Sequence, residues 1–541
     1  MGENNSKSTV RLPLILTVVL AIGILLGSYM PRTGSSKVGF SKSVGKFREI
    51  MNHIERNYVD EVEAEELVEE AIATVLQKLD PHSTYIPAKD KVYSQAELQG
   101  NFDGIGIEYG IFRDTIYVVS PLSGGPSEAV GLMTGDKIIE VNSELVAGIG
   151  ITNRGVLDRL RGPKGTEVTV SVLRKNTDQL LDFIITRDKI PQYSVDAHYM
   201  IDDEIGYIKV NRFTATTYDE FKIALTDLNQ RGMKKLILDL MGNPGGYMDR
   251  AVNMVDEFIA GDSMIVFTEG KEYRYNQEHK AGNVGMFEDR PLIILIDEGS
   301  ASASEIVSGA IQDNDRGLIV GRRSFGKGLV QMPIDLTDGS ELRLTISRYY
   351  TPSGRSIQKI YDSGEFDDYY KDIYNRYNTG EIYSKDSVKV VDSLAYKTSK
   401  GRTVYGGGGI IPDHFVALDT ANNTGYLNKL FTTGSIREYA LQYANDNRAK
   451  LEDMTFEVFF EEFEVTNNML SKLVDIATAN GLKYNRAQFE TSRPLIKLYV
   501  KAHVARCIWD NNGFYPIWNL TNSTYLEALK LFDEAEALLR M

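Results

Sequence analysis

Apolar side chains recur along this chain with a helical and a strand-like pattern, and the order in which the two alternate predicts different kinds of region. Phe47, Ile50 and Ile54, then Leu67, Ala71 and Val75, recur at helical spacing and predict two amphipathic helices after a short linker at residues 34–39. Between about residues 102 and 189 the pattern changes to short β-prone runs punctuated by glycine. Residues 116–119, 168–173 and 180–186 read as strands there, and residues 127–130 and 152–160 as helices, so a small β-barrel capped by two helices accounts for the order. Strands at 205–210, 236–240, 292–296 and 318–320 then alternate with helices at 218–230, 248–259 and 305–311. That alternation predicts an α/β core with a parallel or mixed sheet and helices against it. A β-prone run follows at residues 342–350, and residues 362–400, rich in Tyr, Asp and Lys, predict an exposed and partly mobile insertion. From residue 417 the spacing is helical to the end, with Met469, Leu473, Ile476, Leu526 and Leu529 in its apolar positions, a region sized for docking or self-association.

One run breaks the scheme. Residues 12–29 carry no charge and follow Lys7 and Arg11, a length that spans a bilayer. No small-residue cleavage site follows, so an uncleaved anchor within residues 1–33 is expected rather than a signal peptide. Arg32, Lys37 and Lys42 follow the run as closely as Lys7 and Arg11 precede it, so the charge bias is weak. The bulk of the chain is expected outside the cytoplasm, on the periplasmic side of the inner membrane in a Gram-negative source. A chain of 541 residues exceeds one ordinary domain. Its net charge of -15 argues against a general nucleic-acid binder, and its single cysteine, Cys507, excludes an intramolecular disulfide or a Cys-rich zinc site.

Candidate chemistry gathers at residues 292–331. The strand stops at Asp297-Glu298-Gly299, small residues follow, and a helix begins, which puts Ser300, Ser302 and Ser304 at a strand-to-helix junction. Such junctions collect functional groups and offer unpaired amides. Amide hydrolysis needs a nucleophile, a base and donors for the oxyanion. Lys327, between Gly326 and Gly328, serves as base if burial keeps its amine neutral. The amide of Ala303 and one from the Gly245-Gly246 turn are candidate oxyanion donors. Residue types alone leave all three serines open, as nucleophile or as helix cap. A metalloprotease or Ser-His-Asp hydrolase is the weaker option, because no H-E-x-x-H or G-x-S-x-G motif occurs and His82, in a helix-ending loop, reads as structural.

Several ordered motifs carry a resemblance. Leu79-Asp80-Pro81-His82-Ser83, Leu238-Asp239-Leu240 with Asn243-Pro244-Gly245-Gly246, Gly299-Ser300-Ala301-Ser302-Ala303-Ser304-Glu305, Ser324-Phe325-Gly326-Lys327-Gly328 with Gln331, Thr351-Pro352-Ser353-Gly354 and Ile411-Pro412-Asp413 resemble the carboxy-terminal processing peptidases, or tail-specific proteases. Residues 102–189 resemble a PDZ domain, with Ile105, Gly106 and Ile107 in the loop that holds a peptide carboxylate. The resemblance implies a Ser-Lys serine endopeptidase that cleaves exported proteins near their C-termini. Ser302 is then the nucleophile and Lys327 the base, Gln331, one helical turn beyond, orients the lysine, and Ala303 with Gly245 or Gly246 stabilises the oxyanion. Met241 stands where the family has a basic residue.

The expected layout is an anchor in residues 1–33, N-terminal helices in 40–98, an inserted PDZ domain in 99–189, a protease core in 190–416 with an insertion at about 361–403, and a C-terminal helical region in 417–541. Expected partners are protein or peptide substrates with accessible C-termini, the membrane, and a further copy of the chain through the helical regions. No cofactor or metal is expected. A catalytically silent PDZ scaffold that binds C-termini is the alternative reading.

Overall fold

The structure is a computed structural model that describes residues 37–122, 124–175, 177, 179–361 and 366–540. The apolar run at residues 12–29 lies outside them, and among the described residues no helix is long and apolar enough to cross a membrane. The chain divides into two compact units, residues 1–74 and 75–541.

In the first unit the helix Lys37–Asn57 leaves its apolar stripe open, with Phe47 43% and Ile50 49% exposed. The helix Ala64–Gln77 begins in this unit.

The second unit is built on a six-stranded sheet in the order Val195–Met200, Ile205–Val210, Lys235–Asp239, Leu292–Ile296, Leu318–Gly321, His414–Phe415. The first pair is antiparallel and the rest are parallel, so the sheet is mixed as expected. Its central strand is apolar at every position because both faces are covered. Leu292, Ile294 and Ile296 pack with Phe221, Leu225, Met254, Ile306 and Val307 of the helices Thr217–Gln230, Met248–Asp256 and Ala303–Asp313. Ile293 and Leu295 face the other way, onto Tyr525, Ala528, Phe532 and Leu538. These belong to Ser523–Ala528 and Phe532–Arg540, so the end of the helical region is a layer of the core itself and not a free docking tail. An alternating strand with two apolar faces requires that second layer. The remaining helices, Gly425–Thr432 to Arg486–Trp518, share a separate core around Leu430, Phe459 and Leu473.

A second sheet joins parts far apart in sequence. The long strand Glu341–Tyr350 pairs with Leu329–Asp335 on one edge, and on the other with Thr84–Ile86 and Met264–Gly270, the last of which carries Gln277–Lys280. A third, antiparallel sheet runs Ile107–Phe112, Thr115–Pro121, Lys137–Val141, Glu167–Leu173, Leu180–Thr186. Val156 and Leu160 of the helix Asn153–Leu160 close its core, and Thr152 caps that helix by accepting from the Gly155 amide at 3.1 Å. Ile107–Phe112 is an edge strand.

Two expectations need correction. Residues after 366 are not simply an exposed insertion: the helix Phe366–Asn378 buries Tyr369 and Arg376 against the core, and Ile382 beyond it is also buried. Gln331 is not a helical turn beyond Lys327, because Leu329–Asp335 is a strand in register with Glu341–Tyr350. Side chains two apart share a face of a strand, so Gln331 lies on the side of Leu329 and Pro333.

Candidate active site

The central strand Leu292–Ile296 ends five residues before Ala301, and Ser302 is the last residue before the helix Ala303–Asp313. Its backbone sits at φ 55° and ψ -112°, outside the regions that a residue with a Cβ prefers. Such strain persists only where the surroundings hold it.

Glu305 is the principal restraint. It is fully buried, and its Oε2 accepts from the amides of Ser302 at 2.8 Å and Lys327 at 2.9 Å. Oε1 accepts from the Gly326 amide at 2.7 Å and from Ser324 Oγ at 2.5 Å. One carboxylate thus fixes both the serine and the loop that carries the lysine. Burial pushes its pKa up, and the four donors oppose that rise. Tyr349 adds a second tie: its buried hydroxyl lies 2.6 Å from the Lys327 carbonyl and 3.1 Å from that of Ser302.

The other two serines are committed elsewhere. Ser300 Oγ donates to the Leu240 carbonyl at 2.8 Å and accepts from the Asp297 amide at 2.9 Å. Ser304 Oγ donates to the Asn243 carbonyl at 2.9 Å, and both side chains are fully buried. Ser302 instead lines a cavity of about 430 Å³ together with Lys327, Gln331 and Gly246. Met248 and Leu329 give the same cavity apolar walls, and no histidine lines it.

Burial lowers the Lys327 pKa, helped by the charge of Arg343 and opposed by Glu305 and Asp80. Among the described residues its amine is in no salt bridge with a carboxylate. His82 feels the lysine's charge: its Nε2 is 2.9 Å from Tyr369 Oη, and burial together with the nearby lysines lowers its pKa to about 3.

The turn after Lys235–Asp239 meets the serine from the other side. Gly245 has φ +96°, and a Cβ built on it would lie 2.7 Å from Ser302 Cβ and 2.9 Å from the Ala303 nitrogen. Its own amide is taken, donating to Asn243 Oδ1 at 2.8 Å, while Asn243 Nδ2 donates to the Val210 carbonyl at 3.0 Å. The amides of Gly246 and Ala303 donate to no acceptor among the described residues. As the first residue of its helix, Ala303 has no intrahelical acceptor for that amide. Of the expected donors, Gly246 and Ala303 are therefore available and Gly245 is not.

In the small sheet, Gly106 has φ +72°, which a side chain would disfavour, and its carbonyl accepts from the Leu122 amide at 3.0 Å. The Ile105 carbonyl accepts from the Ser127 amide at 3.1 Å and from Ser127 Oγ at 2.5 Å. The amides of Ile105 and Gly106 have no partner among the described residues, and Ile107 opens the edge strand.

Glu305, Asn243 and Asp80 lie within the sequence motifs, but the sequence alone gives them no role. For Glu305 a signal existed, since a Ser followed three residues later by Glu at a helix start is the pattern of a capping box.

Parts of the chain match known families. Residues 204–364 match peptidase family S41, residues 28–90 match the activating protease CtpB N-terminal domain, and residues 426–510 match a family of unknown function. The chain is 37% identical over 323 residues to the carboxy-terminal-processing protease of Bartonella bacilliformis, covering 59% of this chain and 73% of that protein. It is 31% identical over 445 residues to the carboxy-terminal processing protease CtpA of Bacillus subtilis, covering 79% and 91%. With CtpB of Bacillus subtilis the identity is 34% over 338 residues, covering 61% and 68%. These likenesses favour an enzyme over a silent scaffold. With the family match spanning the strand, the Ser302 junction and the Lys327 loop, the chain belongs to peptidase family S41, among the carboxy-terminal processing proteases, and is a serine-type peptidase.

Proposed function

We propose that Ser302 and Lys327 form the catalytic dyad of an endopeptidase that cleaves exported proteins near their C-termini. The observation that carries this reading is the Glu305 carboxylate, which holds the Ser302 and Lys327 amides through one oxygen at the edge of one cavity. Neutral Lys327 takes the proton from Ser302 Oγ as that oxygen bonds to the scissile carbonyl carbon. The carbonyl oxygen becomes an anion between the amides of Ala303 and Gly246. Collapse breaks the C–N bond, and the lysine ammonium passes its proton to the leaving amine. Water, deprotonated by the same lysine, then releases the acyl group from Ser302. Gln331 orients the lysine amine.

The small sheet is read as a PDZ module. Unpartnered amides at Ile105 and Gly106 suit a terminal carboxylate, and the edge strand that begins at Ile107 suits an added peptide strand. The uncharged run at residues 12–29 supports an anchor with the bulk outside the cytoplasm. The open apolar stripe at Val44, Phe47 and Ile50 supports self-association through the N-terminal helices.

Cleavage of a protein with an unstructured C-terminal tail tests the dyad. Ser302→Ala and Lys327→Ala each abolish it on this reading; retention of cleavage by either variant would remove that residue from the mechanism.

A further inference from the structure

Gln331 has an amide that can face its neighbours in two ways, and only one of them serves a lysine base. With Oε1 toward Lys327 the carboxamide accepts from the amine and leaves its lone pair for the serine proton. With Nε2 toward Lys327 it donates into that lone pair and blocks it.

Gln331 and Lys327 line the same cavity, and the second sheet fixes which end of the carboxamide faces Thr345. Gln331 lies directly opposite Thr345 across the strand pair, and Gln331 Nε2 donates to Thr345 Oγ1 at 3.2 Å. Thr345 Oγ1 in turn donates to Asp80 Oδ1 at 3.0 Å. A hydroxyl has one proton, and an ionised carboxylate only accepts. With its proton committed to Asp80, Thr345 offers Gln331 nothing but a lone pair, so the NH₂ end of the carboxamide must face the threonine.

Asp80 is itself well held. It is 6% exposed, its Oδ1 also accepts from the amides of His82 and Ser83 at 2.8 Å each, and its Oδ2 accepts from Ser83 Oγ at 2.6 Å. Ser83 Oγ then accepts from the Thr345 amide at 3.1 Å, closing the cluster. The neighbouring strand Thr84–Ile86 pairs with the same long strand, Thr84 opposite Arg343. The Asp80-Pro81-His82-Ser83 turn is thus delivered to the back of Gln331 by its own strand pairing.

We propose that Asp80, acting through Thr345, is a positioning residue that fixes the polarity of the Gln331 carboxamide toward Lys327. This rests on the Ser302–Lys327 reading above. The two are separable, because that reading stands or falls with Ser302→Ala and Lys327→Ala, whereas the relay is tested with both residues intact.

The experiment is a double-mutant cycle on the full chain, with kcat, KM and the pH profile of kcat as readouts. Thr345→Val keeps the shape and removes the relay; kcat falls roughly tenfold with KM within about twofold. The acid limb of the kcat profile also moves to lower pH, because a freed carboxamide turns N–H groups toward the lysine and disfavours its ammonium. Thr345→Ser, which keeps the hydroxyl, restores most of the rate. In a Gln331→Ala background Thr345→Val has no further effect on kcat. Should the valine variant not fold, Thr345→Ala takes its place in the cycle. An unchanged kcat, an additive loss in the Gln331→Ala background, an unmoved acid limb or no rescue by serine would each overturn the relay.

Discussion

Gly245 approaches Ser302 so closely that a methyl group on the glycine would lie 2.7 Å from Ser302 Cβ. The turn that carries Gly246 is therefore pressed against the serine, with no side chain between them. Gly245→Ala strains a backbone at φ +96° and forces the turn away from the helix start. We expect a stability loss of ~2 kcal/mol from the conformation alone and a loss of kcat of at least tenfold as Gly246 leaves the Ala303 amide. Thermal melting and steady-state kinetics measure the two effects separately.

Glu305→Gln keeps the size of the side chain and converts one acceptor oxygen into a donor. Whichever end becomes nitrogen, two of its four donors lose an acceptor. The expected cost is ~3 kcal/mol of stability, measured by chemical denaturation, with a fall in kcat greater than the fall in substrate affinity.

The pH dependence follows from the lysine. Its folded pKa lies below the ordinary lysine value, so between the folded and unfolded pKa values the unfolded chain binds more protons and stability rises with pH. Lys327→Met removes this rise. Denaturation midpoints of the two proteins diverge in favour of the lysine protein as pH increases through that window, and kcat of the wild type climbs through the same folded pKa.

Arg376 ties the helix Phe366–Asn378 to the loop that carries Lys327. Its guanidinium donates to the carbonyls of Arg323 at 3.1 Å, Ser324 at 2.8 Å and Phe325 at 3.2 Å. Arg376→Gln leaves those carbonyls short of donors; a loss of ~2 kcal/mol and faster proteolysis of the 323–328 loop are expected.

The legible parts of the sequence were those where one physical demand dominated. Residues 292–296 read as a strand because a strand covered on both faces is apolar throughout, and the structure places it at those bounds. The hairpin Met264–Gly270 with Gln277–Lys280 was missed because its second strand is polar and exposed. A four-residue interval fits a helical turn, but Lys327 precedes the strand Leu329–Asp335 that carries Gln331, so the interval has no helical meaning here. Residues 366–382 show no apolar period for a related reason: Tyr369 and Arg376 bury themselves by hydrogen bonding. The three serines are indistinguishable by type; the family resemblance points to Ser302, and in the structure Ser300 and Ser304 donate to backbone carbonyls instead.

The central claim is a serine activated by a buried lysine, and covalent labelling with a fluorophosphonate probe followed by peptide mass spectrometry tests it most directly. The account predicts one adduct, on Ser302, forming faster as pH rises and lost in Lys327→Ala. An adduct on Ser300, Ser304 or another residue, or undiminished labelling of Ser302 in Lys327→Ala, would contradict it.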